Sequence, residues 1–321
     1  MNEMLKKIGD LGIVPVVKID DAKDAVPLAK ALLTGGLPLA EITFRTAAAE
    51  QAIKNITAEV PEVLVGAGTV LTTEQADKAV AAGAGFVVTP GFNPKVVKYC
   101  VEKGIPITPG CSSPTDIEMA LELGLNVVKF FPAEASGGLN ALKAISAPYK
   151  MIKFMPTGGI DQKNLNDYLA FDAVLACGGS WMVKDDLIKS GNFAEITRLT
   201  MDAVNGMLGF DLAHIGINAV DADSSLEATK RFCSIFNLPL KEGASSNFAG
   251  TIIEVNKSIG LGANGHIAIK TKNINRAIAY LTRNGVEVDM STAKGPVGGP
   301  IIAVYLKEHI AGFAVHLLQT K

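Results

Sequence analysis

The sequence predicts an α/β protein: an eight-stranded (β/α)8 barrel of the TIM type, followed by a smaller α+β domain of paired βαββ modules. Three observations predict it. From residue 13 onward, eight short apolar runs alternate with longer segments of helical spacing, the pattern of parallel strands joined by crossover helices. The eighth run is followed by the helical stretch Phe193–Met207, and the smallest barrels of this kind close at about 200 residues. Beyond Gly209 the alternation gives way to a strand and helix order that occurs twice, as expected of two pseudo-symmetric units. The expected boundaries are therefore 1–208 for the barrel and 209–321 for the second domain.

The barrel strands are expected at Ile13–Ile19, Leu39–Thr43, Leu64–Thr69, Phe86–Pro90, Ile107–Gly110, Val127–Pro132, Lys153–Gly159 and Ala173–Ser180. Between them, Asp24–Leu33, Ala47–Ala58 and Gln75–Ala82 carry Ala and Leu at helical spacing. Thr72 with Gln75 resembles a capping box, and Ser113-Pro114-x-Asp116 supplies an N-cap, a proline at the first helical position and an acid near the helix N-terminus. In the second domain, Ala213–Val220 and Gly250–Val255 read as strands around the helix Leu226–Phe236. Gly265–Lys270, the helix Ile274–Asn284, and the strands Ile301–Lys307 and Ala311–Leu318 repeat the order.

Composition narrows the function. The formal net charge is −2, from 30 basic and 32 acidic residues without long runs, which argues against nucleic-acid and anionic-membrane partners and for a small-molecule one. Four cysteines, at 100, 111, 177 and 233, form no Cys-x-x-Cys pair, so reduced thiols are expected rather than a disulfide framework or thiolate metal site. The start lacks the apolar core of a signal peptide and no apolar run reaches membrane-spanning length, so a cytoplasmic protein is expected.

Val127-Val128-Lys129-Phe130-Phe131-Pro132 places a lysine where a buried strand would carry Val or Ile. Loss of hydration disfavours the charged form, and a neutral amine attacks carbonyl carbon to form a Schiff base, so Lys129 is the candidate nucleophile. The alternative is a strand-end lysine whose stem packs and whose head reaches solvent. In barrels of this type the chemistry gathers at the C-terminal strand ends. On strand two, a period of two puts Glu41, Thr43 and Arg45 on one face; a Glu41–Arg45 ion pair that only solvates the strand end is the plain alternative to a functional pair. Gly66-Ala67-Gly68-Thr69 permits close backbone approach and ends in a hydroxyl, and Thr89-Pro90-Gly91 ends strand four. Glycine-rich ends after strands seven and eight, Thr157-Gly158-Gly159 and Gly178-Gly179-Ser180, suit an anion held by backbone N–H groups, or serve as tight turns.

These motifs, with Ala40 to Thr46, Val65 to Val70, Val128 to Glu134, Pro156 to Ile160 and Gly178 to Trp181 in order, resemble the class I aldolases acting on 2-keto-3-deoxy-6-phosphogluconate and 4-hydroxy-2-oxoglutarate. The resemblance covers about residues 5–208. It implies Lys129 as the Schiff-base lysine and Glu41 as the acid/base. Arg45 and Thr69 would hold the pyruvyl carboxylate with Pro90 beside them, and Phe131 would pack on the pyruvyl unit. Thr157 would line the aldehyde end, while Gly158, Gly159 and Ser180 would take the distal phosphate. A metal-free mechanism on a keto-acid substrate and a homotrimeric barrel are implied as well. A phosphate-binding barrel isomerase is the rival enzyme reading. The other rival is a metabolite-sensing protein whose barrel is a scaffold.

All four histidines lie in the last third of the chain, at 214, 266, 309 and 316. His214 and His266 open the two units, Glu254 comes late in the first, and His316 lies in the last strand. This arrangement resembles the glyoxalase, or vicinal oxygen chelate, superfamily, which implies a metal held by His214, Glu254, His266 and His316. It departs from that pattern at the last position, where glyoxalases carry Glu. Three imidazoles and a carboxylate suit Zn, Ni or Fe; histidines that merely pack or dock the domain are the alternative, and His309 is expected in a solvated loop.

Overall fold

Eight short parallel strands run through the first part of the chain: β1 (Ile13–Val17), β2 (Leu39–Thr43), β3 (Leu64–Gly68), β4 (Phe86–Val88), β5 (Ile107–Thr108), β6 (Val127–Phe130), β7 (Lys153–Pro156) and β8 (Cys177–Gly179). The computed structural model describes residues 2–320, and the chain divides after Met207 into two compact units. Within the first unit, six strands form a curled parallel sheet in the order β5-β4-β3-β2-β1-β8, and β6 pairs with β7. Single parallel bridges, Gly110 to Lys129 and Thr157 to Gly178, lie between β5 and β6 and between β7 and β8. A ring of eight continuous ladders was the expectation, and the ladders instead break where strands are only two to four residues long. Pro90, Pro109 and Pro156 stand at these ends, and proline has no N–H to continue a ladder.

The strands end earlier than expected for a related reason. Gly158 and Gly159 take φ of 98° and 81°, and Thr69 takes 55°, backbone that cannot continue a strand. Those polar ends are loops above a buried sheet, and every residue of β2 is buried, Glu41 included. Parallel strands covered on both faces read as near-continuous apolar runs, so a charged residue inside one stands out. Helix starts follow the sequence closely. Ser113 and Asp116 form the reciprocal capping box with Pro114 in the first turn. Thr72 accepts from the Gln75 N–H, but the Gln75 side chain reaches back to the N–H of Leu71 instead of Thr72.

The second unit is one mixed sheet. Its strands are β9 (Asp211–Asn218), β10 (Leu240–Glu242), β11 (Ser246–Ala249), β12 (Ile253–Asn256), β13 (His266–Thr271), β14 (Val288–Lys294), β15 (Ala303–Ile310) and β16 (Phe313–Gln319). They lie in the order β10-β11-β12-β9-β13-β16-β15-β14, with the helices Ala222–Phe236 and Ile274–Arg283 following β9 and β13. Each half is thus βαβββ. The sequence reading missed β10, β11 and β14. All three residues of β10 are exposed, and β14 is mostly polar; edge strands of this kind resist pairing with other chains and lose the alternation that reveals a strand. His309 is exposed as expected but lies on β15 opposite Ala314 instead of in a loop. Among the described residues no helix is long and apolar enough to cross a membrane.

Candidate functional site

Lys129 is the third residue of β6 and is 5% exposed. Its Nζ lies 3.5 Å from Oε1 of Glu41, which is fully buried on β2, and 5.2 Å from the centre of the Phe131 ring. The second carboxylate oxygen of Glu41 is buried without a hydrogen-bond partner among the described residues. A buried carboxylate left half-satisfied is costly to fold, and such groups gather where chemistry is done. Glu41 fits because Gly68, on the neighbouring strand, has no side chain: a Cβ there would stand 2.8 Å from the Glu41 Cγ.

The ion pair of Glu41 with Arg45 is not formed. Glu41 points into the unit, whereas Arg45 lies past the end of β2, exposed, with its Nε–H donating to Thr43 Oγ1 at 3.1 Å. Thr43 in turn donates to the carbonyl of Val17 at 2.8 Å. Thr69 follows β3 in left-handed backbone, an outlier for a β-branched residue and a place where strain is held at a strand end. Pro90 follows β4, Phe131 follows β6, and Thr157, Gly158 and Gly159 follow β7. Ser180 is exposed just beyond β8. Every barrel residue singled out from sequence therefore lies between the middle of a strand and the loop that follows it. The loops after β6 and β7 are tied together, since Ala133 N–H donates to Thr157 O and Glu134 N–H to Gly158 O, at 2.8 and 3.0 Å.

In the second unit, the four residues singled out come from four adjacent strands, β12, β9, β13 and β16. Glu254 Oε2 lies 2.9 Å from His214 Nε2 and 3.2 Å from His266 Nε2, and the two Nε2 atoms are 3.2 Å apart. One nitrogen from each of His214, His266 and His316 falls within 4.8 Å of the others. Donors about 2.0–2.2 Å from one cation stand roughly 3 Å from each other, a spacing that Glu254, His214 and His266 meet and that His316 exceeds. His316 Nδ1 is 3.2 Å from the carbonyl of Leu317, which can only accept; Nδ1 therefore carries the proton and Nε2 keeps its lone pair. Burial pushes the His316 imidazole down to about 4, so it is neutral near pH 7. Burial opposes ionisation of Glu254, but hydrogen bonds from His214, His266 and Ser246 outweigh it and hold this carboxyl well below the usual range.

Sequence reasoning missed what shapes this cluster. A Cβ on Gly216 would fall inside the His266 ring, so this glycine makes room for the imidazole. Ser246 donates to Glu254 Oε1 and leaves Oε2 facing the histidines. Tyr305 lies opposite His316 across β15 and β16 with ring centres 4.8 Å apart, and Phe248 meets His214 edge-on at 5.7 Å. The only sequence signal for Gly216 was a glycine inside a strand, which marks close approach of another group.

Residues 3–199 match the family model described as KDPG and KHG aldolase. The chain belongs to that family. A relative from Haemophilus influenzae, named 2-dehydro-3-deoxy-phosphogluconate aldolase, is 51% identical over 203 residues, covering 63% of this chain and 96% of that protein. The Escherichia coli K12 protein named KHG/KDPG aldolase is 45% identical over 60% of this chain and 91% of its own. Among solved structures, the KDPG aldolase of Legionella pneumophila, with pyruvate captured as a covalent carbinolamine, aligns at TM-score 0.60 and 40% identity over 62% of this chain and 97% of that one. The aldolase of Zymomonas mobilis with 3-phosphoglycerate aligns at TM-score 0.58, 40% identity, over 62% and 94%. The N-terminal unit is thus an aldolase, and membership supports a small keto-acid substrate; the family match ends before the second unit begins.

Gly68→Ala tests the clearance of Glu41. The added methyl should displace the carboxylate and lower aldol cleavage by about 10²-fold or more, the usual worth of a positioned acid/base, while circular dichroism remains that of the parent. Undiminished cleavage would show that the position of Glu41 does not matter.

Proposed function

We propose that the N-terminal unit cleaves 2-keto-3-deoxy-6-phosphogluconate to pyruvate and glyceraldehyde 3-phosphate, and 4-hydroxy-2-oxoglutarate to pyruvate and glyoxylate, through a Schiff base on Lys129. The observation that carries this is a buried amine 3.5 Å from a buried carboxylate whose other oxygen has no partner among the described residues. Lys129 attacks the 2-keto carbon, and loss of water from the carbinolamine leaves a protonated imine. Glu41, through a water, removes the proton of the C4 hydroxyl. The C3–C4 bond breaks, its electron pair moves into the imine to give an enamine, and the aldehyde leaves. Protonation of the enamine at C3 and hydrolysis release pyruvate and restore the amine.

Around this pair, Arg45 and Thr69 hold the pyruvyl carboxylate beside Pro90, Phe131 packs on the pyruvyl carbons, and Thr157 lines the aldehyde end. Backbone N–H groups at Gly158 and Gly159, with the Ser180 hydroxyl, take the distal phosphate. The single bridges at Gly110–Lys129 and Thr157–Gly178 support reading the eight strands as one closed barrel. We read the unit as a homotrimer on the family resemblance, and as cytoplasmic on the reduced thiols that its cysteine spacing predicts. No step in this sequence needs a metal. A phosphate-binding barrel isomerase would need the glycine-rich ends but not a Schiff-base amine.

Lys129→Ala and Lys129→Arg should both abolish cleavage, since neither offers a neutral amine, and Glu41→Gln should slow turnover by about 10²–10⁴-fold. Steady-state assays on both substrates check this; near-normal turnover in either lysine variant overturns the reading.

For the second unit we propose a glyoxalase-like domain whose His214, Glu254, His266 and His316 hold one divalent transition metal, Zn, Ni or Fe. The repeated βαβββ order and the convergence of the four side chains from adjacent strands support it. A bound metal would supply Lewis acidity. Ser246 orients the carboxylate and the Leu317 carbonyl fixes the His316 tautomer. Elemental analysis should find about one such metal per chain, as for one four-ligand site. His266→Ala should lower that content and leave aldol cleavage intact. A metal-free protein after growth with added Zn, Ni and Fe would remove the site.

A further inference from the structure

Glu134 follows the strand that carries Lys129, and its side chain lies against the glycine turn after β7. A Cβ on Gly159 would stand 2.6 Å from both Cβ and Cγ of Glu134, so the turn and this side chain are fitted to one another. Its carboxylate turns toward the short helix Leu165–Leu169, where Tyr168 donates a hydrogen bond to Oε1. Tyr168 is 1% exposed, whereas Glu134 is an exposed residue. A phenol anchored in the core thus holds a surface carboxylate in one place. Gly138 leaves room for the pair, since a Cβ there would lie 3.1 Å from Glu134 Oε1 and 3.5 Å from the Tyr168 oxygen. Further bonds converge on the same turn: Glu134 N–H donates to Gly158 O at 3.0 Å, and the Asn164 side-chain amide donates to Gly159 O at 3.0 Å.

The chemistry of the turn gives this arrangement a consequence. Backbone N–H groups bind an anion only if they are held in one conformation and no like charge stands in front of them. A free glutamate beside Gly159 would leave the turn it packs against loose. Fixing Oε1 on Tyr168 counters this. We propose that Tyr168 and Glu134 are positioning residues that set the shape of the Gly158–Gly159 turn, and so determine the preference for a phosphorylated over an unphosphorylated keto acid. This rests on the assignment of that turn as the phosphate site. Neither side chain is required for Schiff-base formation.

The test uses the full chain and two substrates, 2-keto-3-deoxy-6-phosphogluconate and 4-hydroxy-2-oxoglutarate, with inorganic phosphate as a competing probe. Tyr168→Phe should raise KM for the phosphorylated substrate about tenfold, the lower range for losing a hydrogen bond to a charged group, and weaken inhibition by phosphate in parallel. KM for 4-hydroxy-2-oxoglutarate and the rate of borohydride trapping with pyruvate should stay near the parent values. Should Tyr168→Phe fold poorly, Glu134→Ala, at an exposed position, should give the same selective loss. Glu134→Gln, whose amide oxygen still accepts from Tyr168, should lose less than Glu134→Ala. Equal losses on both substrates, or slower trapping, would mean that the pair only supports the fold and would overturn the inference. Ser180→Ala separates the two levels of the claim. If it discriminates between substrates and Tyr168→Phe does not, the phosphate site stands and the inference falls; if neither discriminates, the phosphate assignment itself falls.

Discussion

The N-terminal unit depends on one arrangement: an amine and a carboxylate buried together among parallel strands, with part of their hydrogen-bonding capacity unused. Lys129 and Glu41 meet at 3.5 Å from β6 and β2, and the second oxygen of Glu41 has no protein partner among the described residues. Removing one member of such a pair leaves an uncompensated buried charge, typically a cost of about 3–5 kcal/mol. The surroundings accommodate it in detail. Gly68 gives way to the Glu41 side chain and Gly178 to Thr157, and prolines stand at the strand ends. In the proposed mechanism the unpartnered oxygen is where a water or substrate hydroxyl completes the set.

The second unit shows a similar convergence of polar side chains. Four donors converge from four neighbouring strands, and the residues around them act on the donors in turn. Ser246 holds one carboxylate oxygen, the Leu317 carbonyl holds one imidazole nitrogen, and Gly216 leaves space for a ring. In both units a glycine stands where a neighbouring polar side chain needs room. Neither site would survive a methyl group on that glycine without a shift of the group it accommodates.

Much of this was legible in the chain. Lys129 stood out because a lysine within Val-Val-Lys-Phe conflicts with a buried strand; His214, His266 and His316 stood out because the histidines are confined to one region, and Glu254 through the resemblance to the glyoxalase superfamily. Other features were hidden by the physics of strands. The period-two rule put Glu41 and Arg45 on one face, yet Arg45 lies beyond the strand end, so burial separates what alternation joined. Gly68 could be flagged as a glycine, but its contact with Glu41 follows from the pairing register of β2 and β3, which local pattern does not encode. Exposed edge strands such as β10 and β14 carry little apolar alternation. The bond between Tyr168 and Glu134 joins residues 34 positions apart and leaves no local trace in sequence.

The central claim is that the amine of Lys129 becomes covalently bound to a keto acid. Incubation of the full chain with pyruvate and borohydride, followed by peptide mapping by mass spectrometry, tests it most directly. The account predicts a single reduced pyruvyl adduct on Lys129, in proportion to lost activity. Inactivation without an adduct, or an adduct confined to other lysines, would contradict it.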